Sequence, residues 1–264
     1  MTKTILDTIT EHKRMEVLKR KGRKPLEQLK KKPLYNRNPE DPKNFFDPDR
    51  PCVIAEYKRK SPSKGVLSEN TNPVPVVTSY KDGGASAASI LTDRDFFGGS
   101  FRDLENVKTS LPNLPLLRKD FMIDPYQVYE AKAYGADIIL LIAAILDREE
   151  VREMTHLAVS LGLHVLLEVH DEQELDHWVP EISMVGVNNR DLRNFSVDLQ
   201  RSIDLVSKLP GEALKVSESG LNEPKDVLSL FKEGYNGFLM GERFMKTADP
   251  GVAFKEFMKH LNTA

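Results

Sequence analysis

Short apolar runs recur from residue 52 to the end of the chain, at intervals of about 20 to 36 residues. The eight runs are CVIAEY, ASIL at 88–91, PLLRKD, DIILLI, HVLLEV, SMVGVN, LKVSES and GFLMG. Between them, segments such as PYQVYEAKAYGA, DREEVREMTHLAVSLG and EPKDVLSLFKEG have the 3.6-residue apolar period of helices and end near glycine. Strands that alternate strictly with helices predict an α/β protein with a parallel sheet, and eight such units predict a closed (β/α)8 TIM barrel.

An open, doubly wound sheet is the main alternative architecture. Such sheets often bind dinucleotides at a GxGxxG turn after the first strand, and no predicted strand here leads into that turn. In addition, the polar residues at the strand ends, described below, need strands that converge from all sides. Both observations favour the closed barrel.

The first 50 residues have a different pattern. Their apolar positions, at roughly helical spacing on a basic background, are Ile5, Ile9, Val17, Leu18, Leu26 and Leu29. Breaks at Gly22 and Pro25 predict one or two amphipathic helices, and the five prolines from Pro33 to Pro51 predict an irregular connector. We expect an N-terminal helical extension with its connector over residues 1–50 and a barrel over 51–264.

Composition narrows the function classes. With 38 Lys and Arg against 40 Asp and Glu, no overall field favours nucleic acid or an anionic membrane, and the runs KRKGRK and KKK fit solvated helix faces. No signal peptide and no stretch of roughly 18 apolar residues is found, so no membrane partner is expected. The single cysteine, Cys52, excludes an internal disulfide and fits a reducing compartment, so the expected location is cytoplasmic.

Charged and polar residues follow the predicted strands where an active site of this fold would lie, at the C-terminal ends. They are Glu56, Lys58, Thr92, Asp93, Lys119, Asp120, Glu168, Asn188, Asn189, Arg190, Ser217, Glu218 and Ser219. Glu56 and Lys58 alternate in phase with Cys52 and Ile54, so all four are expected on one face of the sheet. Any one of these charges could simply be solvated. A ring of lysines and carboxylates at one mouth, however, would shift the members' pKa values and favour acid-base chemistry.

A phosphate site is the second prediction. In such barrels the loops after the seventh and eighth strands often bind phosphate through backbone N–H groups. The residues there are Ser219, Gly220 and Leu221, and Gly241, Glu242 and Arg243. Ser61 and Ser63, on either side of Pro62, are expected to close over the same anion. No metal is expected, because HDEQELDH lacks the HExxH spacing and its acids fit an exposed helix start.

Seven segments together resemble the indole-3-glycerol phosphate synthase family. They are AEYKRKSPSKG, LLRKDF, GADIILLIAAIL, LLEVHDEQEL, VGVNNRDL, SESGL and GFLMGERFM, in the family's order and at the ends of seven predicted strands. The combination of K-SPS-G with KDF separates this family from the sister barrels of tryptophan synthesis. The resemblance covers nearly the whole chain, including an N-terminal extension over the barrel mouth. One departure is Glu-Arg-Phe after Gly241, where the family often has a smaller middle residue; Arg243 could add charge to the phosphate or face solvent, and we expect it to face solvent.

The resemblance implies a reaction without cofactor or metal: ring closure of 1-(2-carboxyphenylamino)-1-deoxyribulose 5-phosphate with loss of carbon dioxide and water. By the family motifs, Lys119 would be the general acid, Lys58 would pair with the substrate carboxylate, and Glu168 and Glu56 would transfer protons in the dehydration. Asn188 and Glu218 would orient the substrate and the lysines. The phosphate would be held by Ser61, Ser219, Gly220, Gly241 and Glu242, with Arg190 nearby. The apolar seat of the aromatic ring would be Phe97, Phe121 and Leu140.

Several alternatives stay open at the level of sequence. Lys119 on a barrel strand could form a Schiff base, as in class I aldolases. A sugar-phosphate isomerase would need an acid and a base but no aromatic seat, and a binding protein would need only the phosphate site. The only expected partner is a small phosphorylated molecule, and the protein is expected to be a monomer or a weak homodimer.

Overall fold

The computed structural model describes residues 4–62, 64–68, 71–191 and 196–263. Eight parallel strands form a closed barrel in which each strand pairs with its neighbours in chain order. They are β1 Cys52–Tyr57, β2 Ala87–Leu91, β3 Leu116–Lys119, β4 Ile138–Ile142, β5 His164–Val169, β6 Met184–Asn188, β7 Leu214–Glu218 and β8 Gly237–Met240. The pairing of β1 with β8, from Cys52 opposite Gly237 onward, closes the cylinder. The predicted (β/α)8 barrel is therefore confirmed.

Ten α-helices are described, and most of those after β1 return the chain to the start of the next strand. They are α1 Ile5–Arg23, α2 Leu26–Leu29, α3 Pro73–Asp82, α4 Phe101–Ser110, α5 Pro125–Ala133, α6 Arg148–Ser160, α7 Gln200–Leu205, α8 Pro224–Lys232, α9 Glu242–Met245 and α10 Pro250–Thr263. Side-chain caps fix several starts, as where Asp147 and Glu150 form a capping box for α6. Between β5 and β6 the crossover carries only a 3-10 helix, Gln173–His177, instead of an α-helix.

The apolar side chains form two layers, one inside the barrel and one between strands and helices. Strand β4 shows the alternation: Ile138, Leu140 and Ile142 belong to the inner cluster, whereas Ile139 and Leu141 belong to the outer one. A strand buried on both faces has no polar alternation, which is why this part of the sequence is continuously apolar. Cys52 and Ile54 also lie in the inner cluster, so Glu56, in the same phase, points inward near the C-terminal end of β1.

The N-terminal helix packs on the mouth of the barrel and along α5. The helix continues through Gly22, so the break predicted at that residue is wrong. It ends at Arg23, before Pro25. Leu18 is also exposed, although it was expected on the apolar face. The buried face instead includes Lys13. Within the described residues, no helix has both the length and the apolar character needed to cross a bilayer.

Candidate active site

A cavity of about 370 Å³ opens at the C-terminal ends of the strands. All fifteen site residues expected from the sequence contribute to its lining. They are Glu56, Lys58, Ser61, Phe97, Lys119, Phe121, Leu140, Glu168, Asn188, Arg190, Glu218, Ser219, Gly220, Gly241 and Glu242. The parallel barrel brings them together because each lies on a strand from its midpoint onward, on the loop that follows, or, for Glu242, at the start of the next helix.

Lys119, the last residue of β3, is paired with two carboxylates on the opposite side of the barrel. Its Nζ lies 2.7 Å from Glu168 Oε2 and 3.0 Å from Glu218 Oε2. Asn188 donates from Nδ2 to the other oxygen of Glu168 at 3.0 Å, so both oxygens of this carboxylate have partners. Gly186 leaves space for the Glu218 carboxylate, since a Cβ at this position would lie 2.3 Å from Glu218 Oε1.

A second ion pair lies on β1 and the residue after it. Lys58 Nζ contacts Glu56 Oε1 at 2.7 Å, and Ser89 donates to Glu56 Oε2 at 3.3 Å. Glu56 is buried, whereas the Lys58 side chain is 15% exposed and reaches the cavity. Together, these two ion-paired groups hold two lysines, Lys58 and Lys119, and three carboxylates, Glu56, Glu168 and Glu218. With more carboxylates than lysines, the cluster favours retention of an extra proton.

The pKa values of Lys119, Glu168 and Glu218 are shifted in ways that assign each group a charge in the resting state. Burial alone would lower the pKa of Lys119, but Glu168, Glu218 and Glu56 outweigh it and raise the pKa, so the ammonium form is secure. Burial would raise the pKa of Glu168, yet Lys119 and neighbouring donors lower it to about 2. For Glu218, burial and the nearby carboxylates outweigh Lys119 and raise the pKa to about 7. Glu218 is therefore the carboxylate that exchanges a proton near neutral pH.

The raised pKa of Glu218 predicts a pH-dependent stability. The folded state holds this proton up to about pH 7, whereas the unfolded chain releases it near 4.5. The resulting stabilisation is complete below pH 4.5 and is lost as the pH rises through 7. Relative to Glu218→Gln, which is neutral throughout, the wild type should lose about 3 kcal/mol in free energy of unfolding between pH 4.5 and pH 8. Urea titrations at several pH values would measure this; a constant difference between the two proteins would contradict it.

At the expected phosphate end of the cavity, the backbone is strained at one residue and has N–H groups that make no hydrogen bond to described residues. Among the described residues, Ser219 is the only non-glycine with a positive φ, 67°. Gly220 follows with φ 79°, and a Cβ there would lie 2.4 Å from Val197 Cγ1. In the described part of the chain, no hydrogen bond uses the backbone N–H groups of Gly220, Gly241 or Glu242. These donors are available to an anion, and the strain at Ser219 is typical of functional loops.

Charged side chains complete this end of the cavity. Arg190 donates to Glu242 Oε2 at 3.1 Å, so the Glu242 carboxylate holds the arginine at the cavity edge. Arg243 also lines the cavity, and its guanidinium donates to Glu223 Oε1 at 2.9 Å. Its side chain is 35% exposed, so it faces solvent in part, as expected, and is held there in an ion pair. Ser61 is buried in a short antiparallel ladder of Lys60–Ser61 with Gly65–Val66, and Ser63 lies outside the described residues.

The apolar wall lies on the side of β2, β3 and β4. The rings of Phe97 and Phe121 have centroids 5.9 Å apart, and Leu140 lies below them in the same inner cluster. The N-terminal helix adds Ile5, Leu6 and Ile9 to the lining. The apolar spacing predicts a helix for Ile5 and Ile9 but not their place in the site, because helical spacing does not say which surface a helix covers.

Some polar strand ends do not reach the cavity. Asp93 accepts backbone N–H groups of Phe96 and Phe97 at 2.8 and 3.2 Å, which shapes the loop that carries Phe97. Asn189 donates to Ser217 Oγ at 3.0 Å between neighbouring strands. Asp93 and Asn189 therefore stabilise a loop and a strand pair next to the cavity without lining it. Among the described residues, no cluster of His, Cys, Asp and Glu has metal-binding geometry.

Two ionisable groups near the site were not predicted from the sequence: Lys13, which is fully buried, and His170, which is partly buried. Lys13 lies four residues from both Ile9 and Val17, so the helical period already placed it on the buried face. His170 comes directly after β5, two residues beyond Glu168. The basic run around Lys13 and the acidic residues after His170 are both typical of solvated surface, which hides the helical period of the first and the spacing of the second.

The fold and the mouth define a (β/α)8-barrel protein with a cluster of lysines and carboxylates at the C-terminal ends of its strands. Its sequence matches the profile of the family described as indole-3-glycerol phosphate synthase over residues 6–257. The indole-3-glycerol phosphate synthase of Bacteroides thetaiotaomicron is 44% identical over 98% of this chain and 99% of its own length. That of Polaromonas sp. is 44% identical over 96% and 97%. The chain belongs to the indole-3-glycerol phosphate synthase family, whose members are carboxy-lyases of tryptophan biosynthesis.

Solved structures support the fold alone. The 3-hexulose-6-phosphate synthase of Salmonella typhimurium superposes with a TM-score of 0.64 at 13% identity, covering 80% of this chain and 99% of that one. Such low identity carries no information about the reaction. The superposition is consistent with the closed parallel barrel described above.

Proposed function

We propose that this chain closes the indole ring of 1-(2-carboxyphenylamino)-1-deoxyribulose 5-phosphate with loss of carbon dioxide and water, and that the cavity described above is the active site. The observation that carries the proposal is the Lys119–Glu168–Glu218 cluster at the floor of a cavity with an apolar wall and an anion-binding edge. Both reacting atoms belong to one molecule, so anchoring its two ends selects the folded conformer that can react. As the new carbon–carbon bond forms, the enzyme then needs a proton donor for the carbonyl oxygen.

Lys119 acts as the general acid in this proposal. As the ring carbon attacks the ketone, negative charge develops on the carbonyl oxygen, and a cation held by Glu168 and Glu218 donates a proton to it. Lys58 pairs with the benzoate carboxylate until carbon dioxide leaves, and Glu56 keeps that lysine at the cavity. Phe97, Phe121 and Leu140 seat the aromatic ring.

Dehydration then requires an acid for the leaving hydroxyl and a base for a carbon-bound proton. Glu168 serves these proton transfers, because both of its oxygens are held in place by Lys119 and Asn188. Glu218, whose pKa near 7 lets it hold or release a proton, keeps Lys119 charged and in position. A Schiff base requires a neutral amine to attack the ketone, whereas the raised pKa of Lys119 keeps the resting enzyme in the ammonium form. Borohydride should therefore trap no adduct on Lys119.

The N-terminal residues 1–50 are proposed to complete this site, and residues 51–264 to form the catalytic barrel. Support comes from Ile5, Leu6 and Ile9, which line the cavity beside the strand ends. The free, buried Cys52 fits a protein that works in a reducing compartment, and we propose the cytoplasm.

One assay tests the proposed function. The purified protein is incubated with the anthranilate-derived ribulose phosphate while indole fluorescence and released carbon dioxide are recorded. Equal amounts of both products, with activity retained in a metal chelator, are the expected result. Absence of the fluorescent product with a folded protein would refute the proposal.

Ser219 at the anion-binding edge should affect binding rather than chemistry. Replacing it with alanine removes a hydroxyl donor to a charged phosphate, so KM should rise about tenfold or more while kcat changes less than about twofold. Steady-state kinetics of Ser219→Ala would measure both. Ser229→Ala, an exposed serine on α8, is the matched control and should change neither constant. A fall in kcat without a rise in KM would contradict this assignment.

A further inference from the structure

A histidine outside the cavity contacts Glu168 from behind. His170 Nε2 lies 3.7 Å from Glu168 Oε1, and His170 Nδ1 lies 3.3 Å from Glu174 Oε2. The His170 side chain is 14% exposed, and its Nε2 atom is buried with no hydrogen-bond partner among the described residues. The three side chains form a line that runs from the mouth toward the surface of the 3-10 helix Gln173–His177.

Local hydrogen bonds hold the outer end of this line. Glu174 Oε2 also accepts the backbone N–H of His170 at 2.6 Å. Asp171 accepts the backbone N–H groups of Gln173 and Glu174 at 2.9 and 3.1 Å, which shapes the turn. The short 3-10 helix that replaces an α-helix after β5 thus places a carboxylate directly under the histidine. A separation of 3.7 Å is slightly beyond hydrogen-bond length, and such contacts often tighten when a ligand binds.

The electrostatics favour a charged imidazole. Burial lowers the pKa of His170, and so does Arg201 on α7, but Glu174 and Glu168 outweigh them and raise the pKa above its ordinary value. No other charged side chain is among the main influences on this ring. A protonated His170 between two carboxylates is a store for one proton beside Glu168.

The proton balance of the proposed reaction requires a proton source of this kind. The ketone oxygen takes up one proton, the departing hydroxyl takes up a second, and the carbon next to nitrogen returns one. The substrate carboxylate leaves as neutral carbon dioxide, so each turnover consumes one proton from solvent. Lys119 gives up its proton at the buried floor of the cavity while substrate or product fills the mouth, which hinders water from replacing it.

We propose that His170, held by Glu174, is a positioning residue that supplies this proton to Glu168 during the turnover. The inference rests on the proposed function. The Nε2–H bond of the imidazolium breaks as an oxygen of the Glu168 carboxylate takes the proton. The resulting O–H bond then breaks as the neutral amine of Lys119 takes that proton and becomes an ammonium again. The net result is the transfer of one proton from His170 to Lys119. After the product leaves, neutral His170 takes up another proton from solvent. His170 does not touch the substrate, and it acts through Glu168.

The test is His170→Gln, measured over a range of pH with and without added imidazole. The wild-type kcat should fall as the pH rises through the pKa of His170. The variant should lack this component and keep only the change that follows Glu218, whose pKa is raised to about 7. At neutral pH kcat should drop about tenfold, part of the 10²- to 10⁴-fold contribution of a directly acting acid, with KM nearly unchanged. Added imidazole should restore part of the activity, which a merely structural role would not allow. The matched control is His156→Gln, because His156 forms a similar pair with Glu181 at 3.6 Å on the surface, away from the mouth.

A second variant keeps the proposal falsifiable if His170→Gln folds poorly. Glu174→Gln retains an acceptor for the backbone of His170 but removes the negative charge, so the fall in kcat should move to lower pH. The proposal is overturned if both variants keep the wild-type pH profile, or if lost activity is not rescued by imidazole. Failure of the proposed function is distinguishable, because the wild type and His156→Gln would then form no indole at all.

Discussion

Lys119→Ala should lower kcat by about two orders of magnitude or more, with little change in KM. A single well-placed donor to a developing oxyanion contributes about 3 to 4 kcal/mol in a partly dry site. The substrate is anchored elsewhere, at the phosphate edge and the apolar wall, so binding should survive. Stopped or steady-state fluorescence assays of indole formation would separate the two constants. A near-normal kcat in a folded variant would remove Lys119 from its proposed role.

A second substitution separates charge from geometry at the same position. Lys119→Ala leaves Glu168 and Glu218 without their cation, so part of any loss could come from rearranged carboxylates. Lys119→Arg keeps the positive charge but presents it as a planar fork with different reach. Both variants should lose activity, while the arginine variant should retain more of the thermal stability. If Lys119→Arg restored the activity of the alanine variant fully, charge alone would suffice and proton donation would be refuted.

Much of the mouth could be predicted because strand alternation is a local property. Glu56 and Lys58 continue the phase of Cys52 and Ile54, so their side of the sheet follows from counting residues. The burial of Glu168 follows equally from the apolar run that precedes it. Since all strands of a closed parallel barrel end at one face, these local assignments converge without further information.

The pairing within the mouth could not be predicted in this way. Lys119 on β3 meets Glu168 on β5 and Glu218 on β7, and such contacts across the barrel depend on its stagger and closure. The excess of carboxylates, and with it the pKa of Glu218, depends on the same geometry. The role of Gly186 as space for Glu218 has no sequence signal, because an isolated glycine in a strand has many explanations.

The attachment of the N-terminal helix to the barrel leads to the largest expected effect on stability. Lys13 is fully buried, and its Nζ contacts Glu16 and Asp93 at 2.7 Å and Asp120 at 2.9 Å. Asp120 directly follows Lys119, so this ion cluster joins α1 to the strand that carries the proposed acid. Burial lowers the pKa of Lys13, but Asp120, Asp93 and Glu16 outweigh it and raise the pKa, so the lysine enters the interior charged.

Lys13→Met should therefore lower the free energy of unfolding by about 3 to 5 kcal/mol, because it leaves Asp93 and Asp120 buried without this cation. The expected fall in Tm is roughly 10 °C, measured by calorimetry or urea unfolding. Lys21→Met is the matched control on the same helix: its ion pair with Asp124 at 2.6 Å is 42% exposed on the lysine side. The control should change stability by less than about 1 kcal/mol.

Adding Asp93→Asn to Lys13→Met should recover part of the loss, since it removes one uncompensated charge. Equal effects of the two lysine substitutions would show that the buried cluster does not hold the helix, and α1 would then be attached mainly by its apolar contacts.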